Sequence, residues 1–134
     1  MEIRKLFEKK IVPGKPEPVD DTTFTAQVLE SQKPVLIDFW APWCAPCRLV
    51  GGLLAEIGPE YADRMRILKL NVDENPQTAG RFGITSIPTM ILFKGGRPVD
   101  QIVGAMPLNP LRQWIEKHVG TSNTASSPAA QAQS

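Results

Sequence analysis

Cys44 and Cys47 are the only two cysteines in a chain of 134 residues, and they stand three positions apart. So short a loop constrains an unfolded chain very little, which makes the pair a poor staple and points to chemistry instead. By themselves two thiols leave two chemistries open, dithiol–disulfide exchange or half of a zinc site. A closed structural zinc site needs four ligands, and the single histidine, His118, lies far along the chain. No metal site is expected, and His118 reads as a surface residue near a helix C-terminus, where a cation is favoured.

The nucleophile in disulfide exchange is a thiolate, so the setting of the two sulfurs decides what they can do. Val35-Leu36-Ile37-Asp38-Phe39-Trp40 is a near-continuous apolar run, the mark of a strand buried on both faces. Ala41-Pro42-Trp43-Cys44-Ala45-Pro46-Cys47 comes next, and Arg48 to Ile57 suits a helix. The cysteines therefore fall at a strand-to-helix junction, where free backbone N–H groups and the positive end of the helix dipole favour a thiolate at Cys44. Cys47 comes round one turn further in, within reach of the Cys44 sulfur but more shielded from water. Pro46 fits the first turn, where its missing N–H has no helical partner to lose.

The elements that must hold this junction alternate in type. Asp20 or Asp21 can cap a helix through Phe24, Val28 and Leu29, which Lys33-Pro34 stops. Arg66 to Val72 reads as a second strand, and Asn75-Pro76 opens a helix ending near Phe82-Gly83. Thr89 to Phe93 and Val99 to Val103 flank Lys94-Gly95-Gly96-Arg97, a tight hairpin, and Asn109-Pro110 starts a last helix ended by Gly120. From Val35 the order is β-α-β-α-β-β-α, an α/β architecture with a mixed sheet covered by helices on both faces. Residues 1–16 read as an N-terminal extension, 17–120 as one domain, and 121–134, with no bulky apolar residue, as a disordered tail.

Asp38-Phe39-Trp40-Ala41-Pro42-Trp43-Cys44-Ala45-Pro46-Cys47, with Lys69-Leu70-Asn71-Val72-Asp73, Ile87-Pro88-Thr89 and Val103-Gly104-Ala105 at fitting distances downstream, resembles the thioredoxin signature from about Pro18 to Val119. The resemblance implies a thioredoxin fold and a protein-disulfide reductase in which Cys44 attacks and Cys47 resolves, with no bound cofactor beyond the redox-active Cys44–Cys47 pair. It implies that electrons come from NADPH through thioredoxin reductase. It makes Asp38 a buried carboxylate that accepts the proton of Cys47, with Lys69 tuning that proton; a carboxyl at the end of a buried strand should have a raised pKa. It makes Pro88 a cis proline, against the general rate of about 5–6% cis among X-Pro bonds. Trp43, Ala45, Pro46, Ile87, Pro88, Gly104 and Ala105 would form the rim on which protein substrates sit, Ile87 offering its main chain to an extended strand.

The pattern departs from the family in three places. Ala45 stands where Gly is familiar, which shifts the potential by about 20 mV at most; the expected potential stays in the range of reducing dithiols. Gly51-Gly52 falls where a proline usually bends the helix, and Pro42 replaces an often acidic residue. Lys and Arg number 15 against 14 Asp and Glu, a balance that offers no field for nucleic acid or an anionic membrane. No apolar run approaches a membrane span, and the first ten residues are too charged for a secretory signal. The chain thus reads as a cytoplasmic monomer whose partners are thioredoxin reductase and disulfide-containing proteins. At this level a thioredoxin-fold adaptor, and an extracytoplasmic reductant or isomerase, stay open as alternatives.

Overall fold

A computed structural model of the protein describes residues 12–121. Most of the expected N-terminal extension and all but the first residue of the expected tail lie outside the described residues. Five strands form one sheet in the order β1-β3-β2-β4-β5, with β1 at Glu17–Pro18, β2 at Val35–Trp40, β3 at Arg66–Asn71, β4 at Thr89–Lys94 and β5 at Arg97–Val103. β2 runs parallel to β3 and antiparallel to β4, and the β4–β5 pair is antiparallel with a bulge between Leu92 and Phe93. The helices are α1 at Ala45–Ile57, α2 at Pro76–Arg81 and α3 at Leu108–Val119. The order expected from Val35 onward is present. β1, too short to carry a strand pattern of its own, is the addition.

Alternate residues of the central strand feed two cores. On one face Leu36, Met90 and Leu92 pack beneath Val50, Leu54 and Ile57 of α1 and Leu111, Trp114 and Ile115 of α3, whose apolar residues recur every three or four positions as a helix requires. On the other face Val35, Ile37 and Phe39 meet Val19, Phe24 and Val28, where Phe24, Phe82 and Phe93 form an aromatic cluster with centroids 5.3–5.8 Å apart. The parity places Asp38 on the α1 face, two residues from Leu36 and two from Trp40.

Between β1 and β2 the chain differs from expectation. Asp20 closes a turn rather than capping a helix, its Oδ1 accepting from the Thr22 and Thr23 amides at 2.9 Å. The segment that follows is a single π-helical turn, Thr25–Leu29, without a side-chain cap and closed by Glu30 N–H donating to the Thr25 carbonyl at 3.0 Å. Three threonines at 22, 23 and 25 are poor helix formers that favour local turns, and the aromatic cluster fixes Phe24 regardless. Asp21 serves elsewhere: its carboxylate accepts from the Gln77 and Thr78 amides at the start of α2, at 3.2 and 2.9 Å. In return the Asn75 side-chain oxygen accepts from the Asp21 amide at 2.9 Å.

The hairpin between β4 and β5 turns at Gly95 and Gly96, both with positive φ, as the favoured two-residue turn demands. Another pair of glycines solves a different problem. Gly14, at φ +92°, packs directly on Gly58 at the end of α1; a Cβ on Gly14 would sit 2.5 Å from the Gly58 carbonyl oxygen, and one on Gly58 would collide with the Gly14 carbonyl oxygen. Only two bare backbones fit there, and the contact pins the segment that leads into β1 against the helix that carries the cysteines.

Candidate active site

Cys44 is the N-cap of α1, in extended conformation at φ −95° and ψ 107°, and its sulfur accepts from the Cys47 amide at 3.2 Å. A residue that caps with its own side chain is held at the electropositive end of the helix, which is where a thiolate is stabilised. The two sulfurs are joined in a disulfide, with Cα atoms 5.2 Å apart. Cys44 is 5% exposed and Cys47 1%, so in this oxidised form both are buried and the expected contrast between them is slight. Pro46 lies in the first turn.

The Ile87–Pro88 bond is cis, and the Ile87 carbonyl oxygen lies 4.0 Å from the Cys44 sulfur. The Gly104 amide donates to the Pro88 carbonyl at 2.7 Å, which ties the end of β5 to the same turn. Around this junction Trp43 is 68% exposed, and Ala45, Pro46 and Ala105 are exposed as well. Ile87, Pro88 and Gly104 are thus gathered at Cys44 from distant parts of the chain; for Ala105 only its place beside Gly104 is fixed. The Trp43 indole N–H donates to Asp73 Oδ2 at 2.9 Å, a partnership thirty residues long that nothing in the sequence announces.

Behind the disulfide, Asp38 is 2% exposed, and its Oδ1 has no hydrogen-bond partner among the described residues. Burial pushes its carboxyl up to about 7, against the pull of the Lys69 ammonium. An acid that titrates there can exchange a proton with a thiol near neutral pH. Lys69 stands opposite Asp38 in the parallel β2–β3 register, with its ammonium 5.4 Å from the centre of the Trp40 ring. Asp38 and Cys47 both line a cavity of about 300 Å³. Lys15, Pro16 and Arg48 also line it, and sequence reasoning assigned none of these three a role, because the cavity exists only once strand, helix and leading segment are assembled.

Among the described residues no group of three or more His, Cys, Asp or Glu could hold a metal ion, and no helix is long and apolar enough to cross a membrane. His118 does lie at a helix C-terminus, but it is mostly buried. Its Nε2 is 2.8 Å from Asp100 Oδ2, which also accepts from the Trp114 indole N–H at 3.0 Å.

The thioredoxin family model matches residues 15–117. Thioredoxin 1 of Nostoc sp. is 52% identical over 101 residues, covering 75% of this chain and 94% of the relative. Thioredoxin 2 of Chlorobaculum tepidum is 49% identical over 107 residues, 80% of this chain and 98% of the relative. An M-type chloroplastic thioredoxin of Chlamydomonas reinhardtii is 50% identical over 101 residues, 75% and 72% of the two chains. A dithiol pair at a helix cap, a cis proline turn against it and these matches over most of the chain have one common source: the protein belongs to the thioredoxin family of thiol-disulfide oxidoreductases.

Proposed function

We propose that the protein is a cytoplasmic, monomeric protein-disulfide reductase, with residues 17–120 as its catalytic domain, and that Cys44 is the attacking and Cys47 the resolving thiol. In the reduced protein the Cys44 thiolate attacks one sulfur of a substrate disulfide. A Cys44–substrate disulfide forms, and the other substrate sulfur leaves as a thiolate. Cys47 then gives its proton to Asp38 and attacks the Cys44 sulfur, forming the Cys44–Cys47 disulfide and releasing the second substrate thiolate. Two electrons pass to the substrate and are restored by NADPH through thioredoxin reductase. Lys69 holds down the proton affinity of Asp38, while Trp43, Ala45, Pro46, Ile87, Pro88, Gly104 and Ala105 form the substrate rim.

The observation that carries this reading is the Cys44 sulfur, capping α1 through the Cys47 amide while facing the Ile87 carbonyl. A main-chain group beside the reacting sulfur can pair with an extended substrate and read little of its side chains. Insulin reduction with NADPH and thioredoxin reductase tests it. The wild type should turn over rapidly, and a Cys44→Ser, Cys47→Ser double variant should retain only the background rate. Equal rates for the two would overturn the enzyme reading, and a midpoint potential near that of strong periplasmic oxidants would overturn the direction of the reaction.

A further inference from the structure

The segment before β1 reaches into the catalytic cavity. It is anchored on one side by the Gly14–Gly58 backbone contact and on the other by β1, which lies parallel to β3, with the Val19 amide donating to the Lys69 carbonyl at 2.9 Å. Between these anchors Lys15 and Pro16 line the cavity whose inner residues are Asp38 and Cys47. On the α1 side the same cavity is lined by Cys47, Arg48, Gly51 and Ala55.

Three cations and one carboxylate line this space. The groups around Asp38 are Lys69 from β3, Cys47 and Arg48 from α1 and Lys15 from the strap; its β4 neighbour in register, Met90, is apolar. Two of the cations are engaged: the Lys69 ammonium lies over Trp40, and Arg48 Nη1 donates to the Pro42 carbonyl at 2.9 Å. Lys15 is exposed, and its ammonium has no hydrogen-bond or ion-pair partner among the described residues.

We propose that Lys15 is a positioning residue for the resolving step: the Gly14–Pro16 strap sets Lys15 in the wall of the cavity that Asp38 and Cys47 share, and its charge favours the ionised Asp38 that takes the proton of Cys47. The proposal rests on the reading of Asp38 as the proton acceptor. A cation at this range acts through partly solvated space, so its effect is modest and weakened by salt. Lys69 is the charge that opposes burial at Asp38 and leaves its carboxyl near neutrality, so the Lys15 contribution is the smaller of the two.

The resolving step can be isolated by loading Cys44 with thionitrobenzoate and monitoring release of the coloured thiolate as Cys47 attacks. In wild type the rate should rise with pH through the ionisation of the Asp38–Cys47 pair. In Lys15→Gln the midpoint should move up by about half a pH unit, return in Lys15→Arg, and lose most of its shift in 1 M salt. The carboxyl carbon resonance of Asp38 in the oxidised protein should move its titration midpoint in the same direction. Overlay of Lys15→Gln on wild type in both measurements overturns the role of Lys15. If Asp38→Asn keeps the wild-type pH profile, the acceptor reading itself is lost, and that outcome is distinct from the first.

Discussion

At the scale of single residues, the least comfortable group in the molecule is Asp38. It is buried with one oxygen that has no partner among the described residues, and its carboxyl is displaced from 3.8 to about 7 chiefly by loss of solvation. For an acid whose folded pKa is raised, the folded state binds more protons than the unfolded state between those two values, so stability falls as pH rises from about 4 to about 7. The displacement corresponds to roughly 4 kcal/mol when the group is fully ionised. Asp38→Asn removes that slope. Urea unfolding at pH 4 and pH 8 should therefore show wild type losing up to roughly that amount relative to the variant; parallel behaviour of the two would refute the assignment. The burial of Asp38 is readable in its apolar sequence neighbours, and the unpartnered oxygen is not, because it depends on which side chains fail to arrive. Trp43 divides the same way: its exposure follows from its place in the junction, while its bond to Asp73 spans two loops.

At the scale of elements, the helices show what local pattern can and cannot specify. α1 and α3 announce themselves through apolar spacing and are found where expected. α2 is different: it is six residues long, below the length at which a helix supports itself, and its first amides are satisfied from outside. Asp21 supplies that cap across more than fifty residues of sequence. The sequence marks Asp20 and Asp21 equally as caps for the segment after them, and only the folded chain assigns one to its own turn and the other to α2. Asp21→Ala should destabilise the protein, as lost N-caps do, seen as a lower midpoint in urea with an unchanged slope. Because the carboxyl is held below its usual range by these bonds, with the Thr78 contact foremost, the effect of the substitution should be present at neutral pH and fade as pH falls through the carboxylate range.

At the scale of the whole molecule, the sheet order, the two-faced core and the cysteines at a strand-to-helix junction all follow from patterning that short stretches of sequence contain. The closures between distant parts do not. One such closure is Asp100 on β5, gripped by Trp114 and His118 with Lys117 Nζ at 3.5 Å. It joins the edge of the sheet to the last helix, and the His118 bond is the main cause that takes its carboxyl down to about 2. For an acid whose folded pKa is depressed, the stabilisation is present above about 4 and lost as pH falls toward 2. Asp100→Asn should lower the melting temperature by several degrees at neutral pH, on the order of 1 kcal/mol, with the difference shrinking in acid. An unchanged melting temperature would mean that the closure contributes nothing. The strands at the two margins of the sheet have a further consequence, this time for the protein in a crowded solution. β1 is two residues long and includes Pro18, with Pro16 just before it, and β5 carries Pro98 beside a bulge. Prolines lack the N–H that a visiting strand would need, and bulges spoil its alignment. A molecule that leaves Trp43 and Val103 exposed has sheet margins ill-suited to recruiting its own copies, so it can present an adhesive surface without becoming the seed of an aggregate.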